Sequence, residues 1–169
     1  MGLGQQLGIP IATAQSLKKS FLSVFQGVSK FISAVKASAR ENGYVETLLQ
    51  RRRYLQEIRS AVRAEREAAE RKAVNTAVQG SAADLIKISM VRFLRMKTGN
   101  QVASARDVRL VAQIHDEVLL EVRDDPQVIR EAGRVMERIM CTGLTLSVPI
   151  EVNVQVGKRW GEMKDLCLD

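Results

Sequence analysis

Gln113-Ile114-His115-Asp116-Glu117-Val118 is the one stretch where the chain's single histidine stands beside two consecutive carboxylates. Asp116 and Glu117 are hard oxygen donors of the kind that hold Mg²⁺ or Mn²⁺, and a turn is one of the few places where neighbouring side chains can converge on one ion. Such a site is incomplete by itself. Magnesium centres for phosphoryl transfer complete their shell with substrate phosphates, water and a further acid. His115 is a candidate general base, but no G-x-S-x-G or comparable nucleophile pattern surrounds it, which argues against a hydrolase triad.

A second constellation is Arg71, Asn75 and Gln79, spaced four apart. On an α-helix they fall within an arc of roughly 80° and border the apolar stripe of Val74, Val78, Ala82 and Leu85. Amides in that position either bond to neighbouring backbone or face a ligand, and spacing leaves both open. A third is Arg51-Arg52-Arg53 with Tyr54 beside it. Guanidinium forks suit phosphates, but a basic cluster is as often an ordinary surface.

Composition narrows the setting. With 169 residues and 46% hydrophobic content the chain can bury one sizeable core, or a core and a small subdomain. Its 26 Lys and Arg against 19 Asp and Glu leave +7, which favours a polyanionic partner. No apolar run approaches a membrane span and the start lacks a signal-peptide pattern, so a soluble, intracellular protein without a membrane partner is expected. Cys141 and Cys167 have no second thiol or histidine at zinc-ligand spacing, and read as reduced and inconsequential.

The elements that must position these residues follow from periodicity. A helix begins near Thr13, carries Ala14, Leu17, Phe21, Val24 and Phe25, and should be interrupted at Gly27. A second carries Val28, Phe31, Ile32, Val35 and Ala39 and ends at Asn42-Gly43. Core packing is the expected role of these phenylalanines. Tyr44 to Leu48 has strand composition. One long helix should run from about Ser60 to about Met96, with Gly80 inside it permitting a close backbone approach. Lys97 to Arg106 reads as a loop, and Val108 to Val122 as a hairpin whose tight turn is His115-Asp116-Glu117. Asp124-Asp125-Pro126 should start a helix facing inward through Val128, Ala132, Val135 and Ile139. Ile150 to Val156 alternates as a strand ended by Gly157. The expected class is α+β: an antiparallel sheet with helices on one face.

Taken together, Glu70 to Lys87 (ERKAVNTAVQGSAADLIK) and Gln113 to Glu117 (QIHDE) resemble the two C-terminal signature blocks of family A DNA polymerases. Leu7-Gly8-Ile9, Asn42 to Leu48, Arg51 to Leu55 and Trp160 to Asp165 fit in order, and the last resembles the theta-like end, of the eukaryotic polymerases theta and nu. The resemblance covers nearly the whole chain. It implies a palm-type sheet with a metal-site hairpin, residues 1–58 as the C-terminal part of the fingers, and residues 59–169 as the C-terminal half of the palm. It makes Asp116 a metal-binding aspartate for Mg²⁺ (or Mn²⁺), Glu117 a supporting acid, and His115 a neighbour of the primer terminus. It lays Arg71, Asn75 and Gln79 along the minor groove at the new base pair, where acceptors recur in every correct pair. It gives Arg51, Arg52 and Arg53 template phosphates. The implied partners are primer-template DNA and dNTP, and the implied compartment, in a eukaryote, is the nucleus or the mitochondrion.

This sequence departs from the family pattern in three ways. The family's first catalytic aspartate and its nucleotide-binding fingers helix lie upstream of everything present, so the chain alone is expected to be inactive and to need an N-terminal polymerase region in cis or trans. Gln50 stands where the family usually has glycine, and Gln56 where it has proline. Two other readings compete: a non-catalytic DNA-binding or scaffold module derived from such a polymerase, and a basic helical interaction protein without nucleic acid.

Overall fold

A computed structural model describes residues 3–98 and 105–168. Two compact units divide the chain, Met1–Gln79 and Gly80–Asp169. The class is α+β, but the single expected sheet is three separate two-stranded antiparallel ladders among the described residues.

The first unit holds α1 (Leu3–Leu7), α2 (Ile11–Val24), α3 (Gln26–Asn42), β1 (Tyr44–Glu46), β2 (Arg52–Tyr54), a 3₁₀ turn (Gln56–Arg59) and α4 (Arg63–Asn75). The break between α2 and α3 falls at Phe25, not at Gly27, which is accommodated inside α3. Phe25 leaves the helical region at φ −98°, ψ 68°, yet its N–H reaches Phe21 O at 2.9 Å and its carbonyl takes Val28 N–H at 3.0 Å. Few backbone bonds are lost there. α3 ends as its sequence requires, with Gly43 in the left-handed conformation at φ 78° and its N–H on Ala39 O.

Ala39, Ala69 and Ala73 are fully buried and form a core with Val45, Leu55 and Ile58. Small side chains let α3 and α4 approach closely, and charge reinforces the approach. The Glu70 carboxylate of α4 takes Lys36 Nζ at 3.1 Å and Arg40 Nε at 2.9 Å, both from α3. The Arg40 hydrogen bond, outweighing desolvation by burial, holds Glu70 below the ordinary carboxylate range. Since the folded value is the lower one, this stabilisation is fully present above that range and drains away as pH falls through the folded value. Glu70→Gln is expected to cost about 1 kcal/mol at neutral pH, limited by the exposure of Arg40, and to make acid unfolding shallower. Urea melts at pH 7 and pH 3 that show an equal deficit at both would refute this.

The expectation that the α2 and α3 phenylalanines fill a core fails. Phe21, Phe25 and Phe31 are 52%, 52% and 45% exposed, against 1% for Phe93. α2 buries only Ala14, so Phe21 and Phe25 pack on each other instead, with ring centroids 4.8 Å apart.

The expected Ser60–Met96 helix is three pieces: α4, a π turn (Thr76–Gly80) and α5 (Ser81–Thr98). It starts late because Ser60 is used as a turn residue. Its Oγ accepts Val62 N–H at 3.0 Å, and Arg66 donates to the carbonyls of Ser60 and Ala61 at 2.7 and 2.8 Å.

The second unit contains α5, β3 (Val108–Ile114), β4 (Glu117–Val122), α6 (Pro126–Cys141), β5 (Gln155–Val156) and β6 (Lys164–Asp165). Asp125 caps α6, accepting Gln127 N–H at 2.8 Å and Val128 N–H at 3.3 Å, with Pro126 in the first turn, as its sequence predicts. Val128, Ala132, Val135, Met136 and Ile139 of α6 form a core with Phe93 of α5 and Val108 of β3. Only Gln155–Val156 of the expected 150–156 strand is paired, because β6 offers a ladder two residues long. Half-buried Val152, Val154 and Val156 still alternate with exposed Glu151, Asn153 and Gln155. Most of the Lys97–Arg106 loop lies outside the described residues. Among the described residues no helix is long and apolar enough to cross a membrane.

Candidate active site

The β3–β4 hairpin holds the acids, and its turn is tighter than the sequence suggests. Ile114 pairs with Glu117, so the turn is His115-Asp116 alone and Glu117 is the first residue of β4. Register explains how that turn arises. At the base the strands pair Val108 with Val122 and Leu110 with Leu120, a register that would close on a single residue. An irregularity between Leu110 and Ala112 inserts Val111 as a bulge, beyond which Ala112 faces Leu119 and Gln113 faces Val118. That one-residue shift is what allows a two-residue turn with Asp116 at its apex.

His115 sits at φ 54°, one of two non-glycine residues with positive φ among the described residues. Only the first central residue is left-handed, the φ pattern of a type II′ turn, where glycine is usual. Histidine tolerates that region better than most residues. The Gln113 side-chain amide donates to the His115 carbonyl and pins the turn. This clamp escaped sequence reading, since nothing in the composition of a strand residue two places earlier announces it.

His115, Asp116 and Glu117 are all exposed. Among the described residues no three His, Cys, Asp or Glu gather as a complete metal site. The donors fit a hard divalent ion in part: Asp116, with Glu117 beside it, would supply carboxylate oxygens, and other donors would complete the shell.

The arginine cluster is part of a second hairpin. β2 pairs with β1, matching Tyr44 with Tyr54, Val45 with Arg53 and Glu46 with Arg52. All three arginines are exposed. Arg52 Nε donates to Glu46 Oε1 at 2.8 Å, and its guanidinium lies 4.6 Å from the Tyr44 ring centre. Arg53 Nη1 donates to Thr76 Oγ1 at 3.1 Å. Gln50, in the connecting loop, has φ 61°. Glutamine thus occupies, at a steric cost, the conformation that glycine adopts freely. Gln50→Gly should stabilise the protein by about 0.5–1 kcal/mol, the relief of strain exceeding the added chain entropy. A lower denaturation midpoint in that variant would show the loop is not strained.

Arg71 and Asn75 lie on α4 and Gln79 in the π turn, and all three are exposed. Among the described residues nothing hydrogen-bonds to the side-chain amides of Asn75 and Gln79, which removes the backbone-bonding alternative. The π turn also narrows the row. From Arg71 to Asn75 four α-helical steps advance the azimuth by about 40°; four π steps of about 80° each then bring Gln79 back by about 40°. On these ideal step angles Arg71 and Gln79 would fall nearly in line, closer than on a uniform α-helix.

A family model described as DNA polymerase family A matches residues 1–162. The chain belongs to DNA polymerase family A. Thermostable DNA polymerase I of Thermus filiformis is 42% identical over 163 residues, covering 96% of this chain and 18% of that protein. DNA polymerase I of Borreliella burgdorferi is 36% identical over 161 residues, covering 95% of this chain and 17% of that protein. The family A chain thus spans under a fifth of the length of these relatives. Among solved structures, the POL domain of Pol1 from M. smegmatis, in complex with DNA primer-template and dNTP, superposes with a TM-score of 0.78 at 38% identity. That match covers 89% of this chain and 25% of the other. These relatives are bacterial and leave the theta-like character of Trp160–Asp165 an expectation.

Proposed function

We propose that this chain is part of a DNA-directed DNA polymerase, with residues 1–58 contributing to the fingers and residues 59–169 to the palm. The observation that carries the reading is the exposed Arg71-Asn75-Gln79 row, with two amides that have no hydrogen-bond partner among the described residues, in a chain of family A. Guanidinium and amide donors in line suit the minor groove, where purine N3 and pyrimidine O2 accept in every correct base pair. Arg51, exposed immediately before β2, is a candidate for template phosphate.

Asp116 holds one face of a Mg²⁺ or Mn²⁺ site, and Glu117 adds negative potential beside it. When bound there, a divalent ion supplies charge neutralisation at the phosphoryl group and activation of the primer hydroxyl. His115, fixed by the turn, lies against the primer end. The other acid and the cation that meets the triphosphate come from a polymerase region outside these 169 residues.

The test is a chimera in which residues 1–162 replace the matching region of the Thermus filiformis enzyme. Primer extension in Mg²⁺ is expected, and a folded chimera with none would refute the catalytic reading. Separately, the 169-residue chain should bind primer-template DNA with an affinity that falls steeply with salt. No binding at low salt would also remove the alternative of a DNA-binding scaffold.

A further inference from the structure

The hydrogen bond between Arg53 and Thr76 ties the basic hairpin to the first residue of the π turn. Its direction is fixed by chemistry. A guanidinium has only donors, so the Thr76 hydroxyl must accept from Arg53 Nη1 at 3.1 Å and spend its own hydrogen elsewhere. It spends it on Lys72 O, 2.7 Å away. Lys72 O also takes the Thr76 N–H, which it shares with Ala73 O. Two bonds from one residue thus load a single carbonyl where the α-helical ladder gives way to the π turn. A threonine bonded back to the carbonyl four residues earlier tends to bend a helix, and π turns are uncommon and concentrate at functional sites. Thr76 is buried, at 6% exposure, and lies between Asn75 and the segment that carries Gln79.

We propose that Arg53 and Thr76 are positioning residues for the Arg71-Asn75-Gln79 row: their hydrogen bond holds the π turn that sets Gln79 in line with Arg71. This rests on the reading that the row faces the minor groove, and it assigns Arg53 to base-pair sensing, not to phosphate. Arg53 touches no base in this scheme; it acts through the Thr76 hydroxyl and the backbone that follows.

The experiment measures binding of the 169-residue chain to two primer-templates across a salt series. One has a natural terminal base pair, and the other carries 3-deazaadenine there, which lacks the minor-groove acceptor. The wild-type chain should prefer the natural duplex about fivefold or more. Thr76→Val, which removes only the hydroxyl, and Arg53→Met should reduce that preference to near one, while Thr76→Ser keeps it. Thr76→Val leaves the charge unchanged, so its salt slope should match wild type. Arg53→Met, at an exposed position, keeps the test decisive if the buried Thr76→Val fails to fold. If Arg53→Met keeps the preference but lowers the salt slope by about one, Arg53 is a phosphate contact and the proposal is overturned. If the wild type itself shows no preference, the minor-groove reading of the row fails, and the positioning role with it.

Discussion

Asp116→Ala in the chimeric polymerase should reduce primer extension at least about a thousandfold, equivalent to roughly 4 kcal/mol of transition-state stabilisation. The size follows from the geometry of the hairpin. Asp116 is the apical residue of a two-residue turn, and among the described residues no cluster of acids can take over its role. Asp116→Asn, which keeps the shape and removes the charge, should be nearly as damaging, because a hard divalent ion gains much less from an amide oxygen than from a carboxylate. Glu117→Gln should cost far less, about tenfold, since Glu117 belongs to the strand and in the proposed site supports the metal ligand without holding the ion. Primer-template affinity should change little in all three, so the loss belongs to the chemical step and not to binding. An Asp116→Ala chimera with more than a tenth of the parent rate would place the metal ligand elsewhere.

The largest effect on stability is expected at Phe93. This ring is 1% exposed and joins α5 to Val108 of β3 and to Val128, Ala132, Val135, Met136 and Ile139 of α6. The inner face of the hairpin, including Leu110, Leu120 and Val122, packs against the same cluster. Phe93→Ala removes buried apolar surface and leaves a cavity, at a cost of about 3–5 kcal/mol. Leu94, the next residue, is 46% exposed, and Leu94→Ala should cost under about 1 kcal/mol. Urea unfolding of the two variants checks the contrast. Similar midpoints would mean that the core is not organised around Phe93. Because the cluster carries the hairpin, Phe93→Ala should also loosen the turn that presents Asp116, detectable as faster amide exchange along β3.

Much of the candidate site was legible because its signals are local. Apolar runs flanking His115-Asp116-Glu117 identified a hairpin, and spacing of four grouped Arg71, Asn75 and Gln79 on a helix. The motif blocks, Glu70 to Lys87 and Gln113 to Glu117, pointed to the family that the match over residues 1–162 establishes. The cap of α6 and the glycine end of α3 were equally readable, since Asp125 and Gly43 act on backbone within a few residues. The departure at Gln50 was visible too, and the structure gives it a physical meaning in a positive φ.

What the sequence determined by itself was therefore residue type and local periodicity: a turn with acids, a row of donors, a basic cluster, an α+β class. Tertiary structure decided the rest, because each remaining feature depends on a partner distant in the chain. Whether a phenylalanine is core depends on what covers it, so Phe93 is buried while Phe21, Phe25 and Phe31 are not. Whether a run is a strand depends on a paired neighbour, so only two residues of 150–156 form a ladder. The His115-Asp116 turn depends on a bulge at Val111, which only the pairing of β3 with β4 defines. The azimuth of Gln79 relative to Arg71 depends on a π turn, and Arg53, 23 residues before Thr76, reaches the start of that turn only in the folded chain.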